Sequence, residues 1–212
     1  MKLSCISLAL VALAAIMLQA TACSGKQEGS GKSVDTTTTA VAEQYKDIYH
    51  GSYDKDKSFI VISKKDLKLT VYAQVNGDTV PVAQFPVCLS LNKGQKEKEG
   101  DMRTPESEPG SPFVIDAIKP ASDWTHDFGD GRGAILAYGA WFLRLVTPGH
   151  HGIGIHGSTN NENSVPGRAS EGCIRLRDQD IITLKERYAW VGMPVITLRL
   201  IQFHFVHKRL PA

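Results

Sequence analysis

The chain of 212 residues concentrates charge of neither sign. Its 24 Lys and Arg stand against 22 Asp and Glu, leaving a formal net charge of +2. A nucleic-acid footprint would show as a clustered basic face, so the even spread of charge argues against such a partner. There are no internal repeats, so no repeat architecture is expected. Long apolar runs are also scarce. The one nearly unbroken run, residues 6–18, is too short to span a membrane and has the wrong flanks. Cysteine is rare, four in all, and the four sort by position.

The short apolar run belongs to the N-terminus. Lys2 precedes it, and Ala20-Thr21-Ala22 follow it, ahead of Cys23. That is the pattern of a secretory signal peptide. Thr21-Ala22-Cys23 resembles a bacterial lipoprotein lipobox, which implies cleavage after residue 22 and a lipid on Cys23; the alternative is cleavage near Ala22 with Cys23 free. A lipid of this kind anchors a protein to a membrane without spanning it. Cys5 leaves with the leader. Cys88 and Cys173 remain, and an oxidising compartment invites a disulfide between them. Cys88 sits in an apolar run, however, and reads better as a buried free thiol acting as a small hydrophobe.

Residues 23–56 begin with a stretch rich in Ser, Thr, Gly, Gln and Lys that has little to bury, and they read as a flexible tether. Strand patterns start at Phe59. Residues 67–75 alternate with a period of two, Asn76-Gly77 is a hairpin turn, and residues 79–91 return with a phase shift near Val82-Ala83 that predicts a bulge. Residues 92–111 are polar and turn-rich, a long surface loop. Further strands are expected over residues 112–118, 134–138, 141–146, 152–155 and 194–200. One helix is expected, capped by Asp178, burying Ile181, Leu184 and Tyr188, and closed by Gly192 and Pro194. The fold class is mostly β, a sandwich or distorted barrel of mixed sheets with one clear helix.

The densest chemistry lies in residues 156–176, where an imidazole and a thiol share one glycine-rich segment. A cysteine becomes a strong nucleophile when a neighbouring imidazole takes its proton. Cys173 is the candidate nucleophile. His156, at the end of an apolar strand, is the candidate general base toward Cys173 and general acid toward the leaving amine. No Asp or Asn stands at a telling spacing to orient the imidazole, so a backbone carbonyl near Gly157 is expected to do so. The amides of Gly172 and Cys173 are candidates for an oxyanion hole.

Ile155-His156-Gly157, Asn160-Asn161 and Ser170-Glu171-Gly172-Cys173-Ile174-Arg175-Leu176 resemble the signature of the YkuD-type L,D-transpeptidases. Gly100-Asp101 with Thr104-Pro105, and residues 141–145, extend the likeness upstream. The resemblance covers roughly residues 59–198. It implies a catalytic domain over residues 57–201 with a tail at 202–212. It implies thioester formation by Cys173 on a peptidoglycan stem tetrapeptide, release of D-Ala, and capture by an amine of a second stem to give a 3→3 cross-link. It assigns the His-orienting carbonyl to Gly157, and substrate binding to Arg175, Ser170 and Asn160, with Ser170 also supporting the turn. No cofactor is implied. The partners are donor and acceptor stem peptides and a membrane reached through the lipid. The expected location is outside the cytoplasm, facing the wall, at the outer membrane if the cell has one. Many members carry His where Glu171 stands, and the compact Thr-Pro-x-Gly pattern is stretched here to Thr104-Pro105 … Pro109-Gly110.

Three other readings stand beside this one. His150, His151, His156 and Cys173 could ligate zinc in principle, but no acidic ligand occurs at a telling spacing. A catalytically silent wall-binding lipoprotein would not need the Cys-His pair. Water as acceptor would give an L,D-carboxypeptidase, and a protein amine would give a wall-to-protein linking enzyme.

Overall fold

The computed structural model describes residues 44–108 and 110–199. The leader, Cys23, the first part of the expected tether, Pro109, Leu200 and the tail lie outside the described residues.

Thirteen strands are described: β1 (Lys46–Asp47), β2 (Phe59–Ser63), β3 (Lys68–Val75), β4 (Asp78–Pro86), β5 (Cys88–Ser90), β6 (Phe113–Pro120), β7 (Thr125–Asp127), β8 (Ala134–Leu136), β9 (Trp141–Val146), β10 (Gly154–His156), β11 (Gly167–Ser170), β12 (Ile174–Arg175) and β13 (Pro194–Leu198). Helix α1 (Asp178–Thr183) widens into a π-type turn over Leu184–Tyr188. Eleven strands form one hydrogen-bonded sheet in the order β1-β4-β3-β2-β13-β6-β9-β10-β12-β5-β11, and β7 pairs with β8 as a separate ribbon.

Strands β4 and β5 lie near opposite ends of that order, yet only Val87 separates them in the chain. Two Cα–Cα steps of about 3.8 Å bridge the gap, so the sheet must curl until β4 and β5 approach. This is the expected mostly β fold with mixed strand directions: β13 runs parallel to β2 and β10 parallel to β12, while most other neighbours are antiparallel. Ile60, Leu69, Phe85, Leu89, Ile115, Leu143, Ile155 and Ile174 fill the interior, all within 1% of full burial. Cys88 is there too, free and fully buried.

The β3–β4 hairpin follows its sequence closely. Asn76 and Gly77 take φ of 52° and 90°, the left-handed pair that a two-residue turn demands. Val71 pairs with Ala83 and Tyr72 with Pro81, which leaves Val82 as the extra, bulged residue. Its carbonyl accepts from the amides of Ile48 and Tyr49 at 3.0 and 3.3 Å, so the bulge also seats the segment after β1.

The helix departs from expectation at its start. Arg177, in extended conformation, is the N-cap, and Asp178 is already helical. The Asp178 amide is capped instead from the preceding loop, by Glu162 Oε1 at 2.7 Å. The Asp178 carboxylate is committed elsewhere: it accepts from the Ser158 amide at 2.7 Å and the Thr159 hydroxyl at 2.5 Å. Ile181, Leu184 and Tyr188 are buried as the spacing predicts. The residue 92–111 loop is irregular but firmly held. Lys64, almost fully buried, donates to the carbonyls of Gly94 and Thr104 at 2.6 Å and to Glu106 at 2.9 Å. Lys96 pairs with Asp101 at 2.8 Å.

Candidate active site

Parallel pairing of β10 with β12 sets the site. Ile155 lies opposite Ile174, and His156 opposite Arg175. Alternation sends both isoleucines into the core and puts His156 and Arg175 side by side on the other face. Cys173, two residues before Arg175, falls on that same face, next to Gly154. His156, Cys173, Arg175, Glu171 and Tyr138 line one cavity of about 420 Å³.

His156 is 4% exposed. Its Nδ1 lies 2.6 Å from the Gly157 carbonyl oxygen. A carbonyl can only accept, so Nδ1 carries the hydrogen and Nε2 keeps its lone pair. The ring is held between Tyr138, with centroids 4.8 Å apart, and Phe142, stacked at 5.6 Å and 15°. Burial, then the neighbouring positive Arg175, pushes its pKa down to about 3, against the opposing pull of the Gly157 carbonyl. The resting imidazole is therefore neutral.

The Gly157 carbonyl is fixed in turn. Its amide donates to the Tyr138 carbonyl at 2.7 Å. A Cβ at Gly157 would lie 2.5 Å from Asp178 Oδ1 and 2.7 Å from the Gly139 Cα, so any larger residue forces its neighbours to shift.

Cys173 is partly exposed to the cavity. Its thiol donates to the Gly152 carbonyl at 3.3 Å, and among the described residues no hydrogen bond joins it to His156. Burial raises its pKa, and the Glu171 carboxylate adds to the rise; the Gly154 amide and the Arg175 charge oppose it. The resting pair is a neutral thiol beside a neutral imidazole rather than an ion pair. The thiol is held on the Gly152 carbonyl rather than on His156.

The turn before Cys173 uses Gly172 at φ 148°, a conformation closed to side chains, where a Cβ would press on the Arg103 carbonyl at 3.1 Å. Ser170 is 2% exposed; its hydroxyl donates to the Cys173 carbonyl at 2.6 Å and accepts the Gly172 amide at 3.3 Å. Ser170 therefore commits its hydroxyl hydrogen to the turn, in the supporting role, and it also lines the cavity. The Gly172 amide is likewise already engaged, by a long bond, where it was expected to be open.

Arg175 is 4% exposed. It donates to Ser164 Oγ at 3.1 Å and lies over the Phe128 ring at 5.5 Å, and its Nε has no partner. A buried guanidinium that lines the cavity with no carboxylate paired to it suits a carboxylate on a ligand. Asn160 corrects another expectation. It has φ 63°, lies outside this cavity, and donates from Nδ2 to the Leu136 carbonyl at 3.1 Å. It fastens the loop after His156 to the β7–β8 ribbon instead of reaching the nucleophile.

His150 and His151 border the cavity from the turn between β9 and β10. Among the described residues no group of three or more His, Cys, Asp or Glu is placed to hold a metal ion.

Sequence reasoning missed Tyr138, Phe142, His126 and the second role of Asp178. His126, on β7, meets Glu171 at 3.1 Å, a contact that depends on where a separate ribbon lands. The only available signals were the aromatics around residues 138–142, at strand ends next to the motif.

The family model for the YkuD L,D-transpeptidase catalytic domain matches residues 57–196. Among curated proteins nothing matches. Several solved structures are similar. One is Bd1075 of Bdellovibrio bacteriovorus, 19% identical with a TM-score of 0.48, covering 68% of this chain and 48% of that one. A second is an L,D-transpeptidase from Mycobacterium smegmatis, 19% identical with a TM-score of 0.46, covering 67% and 58%. A third is the helical cell shape determining protein Pgp2 of Campylobacter jejuni, 23% identical with a TM-score of 0.46, covering 72% and 51%. The chain spans about half the length of these structures.

Proposed function

The chain belongs to the YkuD family of L,D-transpeptidase catalytic domains, and we propose that it forms 3→3 cross-links in peptidoglycan through a thioester on Cys173. The observation that carries this reading is the wiring of His156. Its Nδ1 hydrogen is fixed by the Gly157 carbonyl, so the free Nε2 lone pair belongs to the cavity that also holds the Cys173 thiol and Arg175, whose Nε has no hydrogen-bond partner.

The donor is a stem tetrapeptide whose terminal carboxylate meets Arg175. As the thiol turns from Gly152, its proton passes to His156 Nε2, and the sulfur attacks the carbonyl of the third residue. The cysteine amide faces the developing oxyanion; a donor of this kind typically contributes about 10²–10³ in rate. His156 returns the proton to the departing nitrogen, the C–N bond breaks, and D-Ala leaves. A second stem's amine then attacks the thioester, losing a proton to His156. The C–S bond breaks, and the proton restores the thiol. A neutral pair suits this sequence, because the imidazole must accept and give one proton in each half-reaction.

The leader supports export and a lipid on Cys23, which would hold the enzyme on a membrane facing the wall. Palmitate labelling of the full chain, lost in Cys23→Ser, tests that arrangement.

Incubation of the purified protein with disaccharide-tetrapeptide, read by mass spectrometry, tests the activity. A dimer lighter by one D-Ala is expected. Tripeptide alone would make the enzyme a carboxypeptidase. No thioester and no product would refute the proposal.

A further inference from the structure

Glu171 has no part in the chemistry above, yet it stands on the cavity wall two residues before the nucleophile. Its carboxylate is set by His126 Nε2, 3.1 Å away on β7. His126 is itself held edge-on against Phe128, with centroids 4.6 Å apart, and Tyr138, at 6.4 Å. The pair thus joins the ribbon to the catalytic turn, and Glu171 remains 44% exposed in its side chain. Along the chain, Glu171 and Arg175 flank Cys173 with opposite charges. Arg175 suits a carboxylate. Glu171 suits a cation, and the reaction supplies one. A primary amine with a pKa near that of lysine, roughly 10.4, arrives as an ammonium at neutral pH.

Resting on the transpeptidase reading, we propose that Glu171 is the acceptor's ammonium-binding residue, with His126 as the positioning residue that aims its carboxylate at the cavity. The ammonium of the second stem docks on Glu171 beside the thioester. It releases one proton to bulk water, and the neutral nitrogen attacks the thioester carbonyl. Its second proton goes to His156 Nε2 and then to the Cys173 sulfur as the C–S bond breaks. One ammonium and one thioester give one amide, one thiol and one proton in solution.

The carboxylate has a cost in the first half-reaction, because negative charge near the thiol opposes thiolate formation. The two half-reactions therefore respond to Glu171 with opposite signs, which a merely structural latch would not produce. The test is Glu171→Gln in the full chain, with thioester formation on a donor tetrapeptide and acceptor use followed separately by mass spectrometry. Thioester formation is expected to be as fast as in the parent or faster. The acceptor KM should rise about tenfold, the weight of one charge-assisted hydrogen bond, and product should shift from dimer toward tripeptide. Glu171→Asp should recover part of the acceptor KM, and His126→Phe should raise it in the same direction as Glu171→Gln. If both half-reactions slow together, or the acceptor KM does not move, the pair is only a latch and the inference fails. If the parent enzyme forms no thioester, the functional reading has failed first.

Discussion

Replacing Gly157 by Ala perturbs His156, the proposed general base, without touching it. The residue carries no positive φ, so the penalty is purely steric. The new methyl would sit 2.5 Å from Asp178 Oδ1, 2.7 Å from the Gly139 Cα and 3.1 Å from the Tyr138 carbonyl. Two of these three neighbours are backbone and cannot swing aside. Gly139 is itself at φ 68°, and Asp178 is tied to Ser158 and Thr159. Overpacking of this kind costs about 1–3 kcal/mol. For a protein of this size that lowers Tm by about 2–4 °C per kcal/mol. The larger effect is on chemistry. Any relief moves the Gly157 carbonyl, which fixes the His156 hydrogen from 2.6 Å. Loss of the correct tautomer and ring orientation removes general-base help worth about 10²–10⁴ in rate. The assay pairs thermal unfolding with thioester formation, and uses alkylation of Cys173 by iodoacetamide as a control for thiol access. The expected result is a fall in Tm of several degrees, thioester formation slowed by at least about 10², and alkylation largely retained. A variant with parental Tm and parental turnover would refute both the steric and the tautomer argument.

Other outcomes follow from the same geometry. Because burial lowers the His156 pKa and raises that of Cys173, alkylation of Cys173 should climb with pH beyond the ordinary thiol range; a plateau between pH 5 and 7, the mark of an ion pair, would contradict the neutral resting state. Arg175→Met should raise the donor KM by at least about tenfold, the loss of a charged hydrogen bond, and steady-state kinetics on a tetrapeptide reads it. Burial opposes ionisation of Asp101, but Lys96 and the amides of Glu97, Lys98 and Arg103 outweigh it and hold its pKa well below the ordinary carboxylate value. Its stabilising effect is present above the unfolded-state pKa and is lost as pH falls through the lower folded one. Asp101→Asn should therefore cost about 3 kcal/mol at pH 7 and progressively less in acid, as urea melts at several pH values would show.

What could be foreseen from the residues, and what could not, divides along physical lines. The β3–β4 hairpin was legible because alternation, Asn76-Gly77 and the phase slip at Val82 are local signals. The meeting of His156 and Cys173 in one cavity was legible because they share one segment. The tie of Asn160 to Leu136 was not, nor the contact of His126 with Glu171, because both depend on where a ribbon absent from the main sheet comes to rest. The cap of α1 was misplaced for a related reason. Glu162 reaches the helix from a loop sixteen positions upstream, freeing Asp178 for work that sequence spacing does not advertise. Lys64 and Lys96 look like solvent-facing charges in the sequence and turn out to be internal rivets of the long loop.

The position of β13 has a bearing on how the chain acquires its shape. The last described strand fills the slot between β2 and β6, running parallel to β2 from Val195↔Ile60 to Leu198↔Ser63. A growing polypeptide lacking it has two open strand edges in the middle of its sheet, and such edges recruit other chains. Closure must await a pairing more than a hundred residues distant in sequence, the sort of contact that slows folding. Synthesis from the N-terminus thus leaves the sheet unfinished until the segment that forms β13 has emerged, and until then its open edges need protection from neighbouring chains.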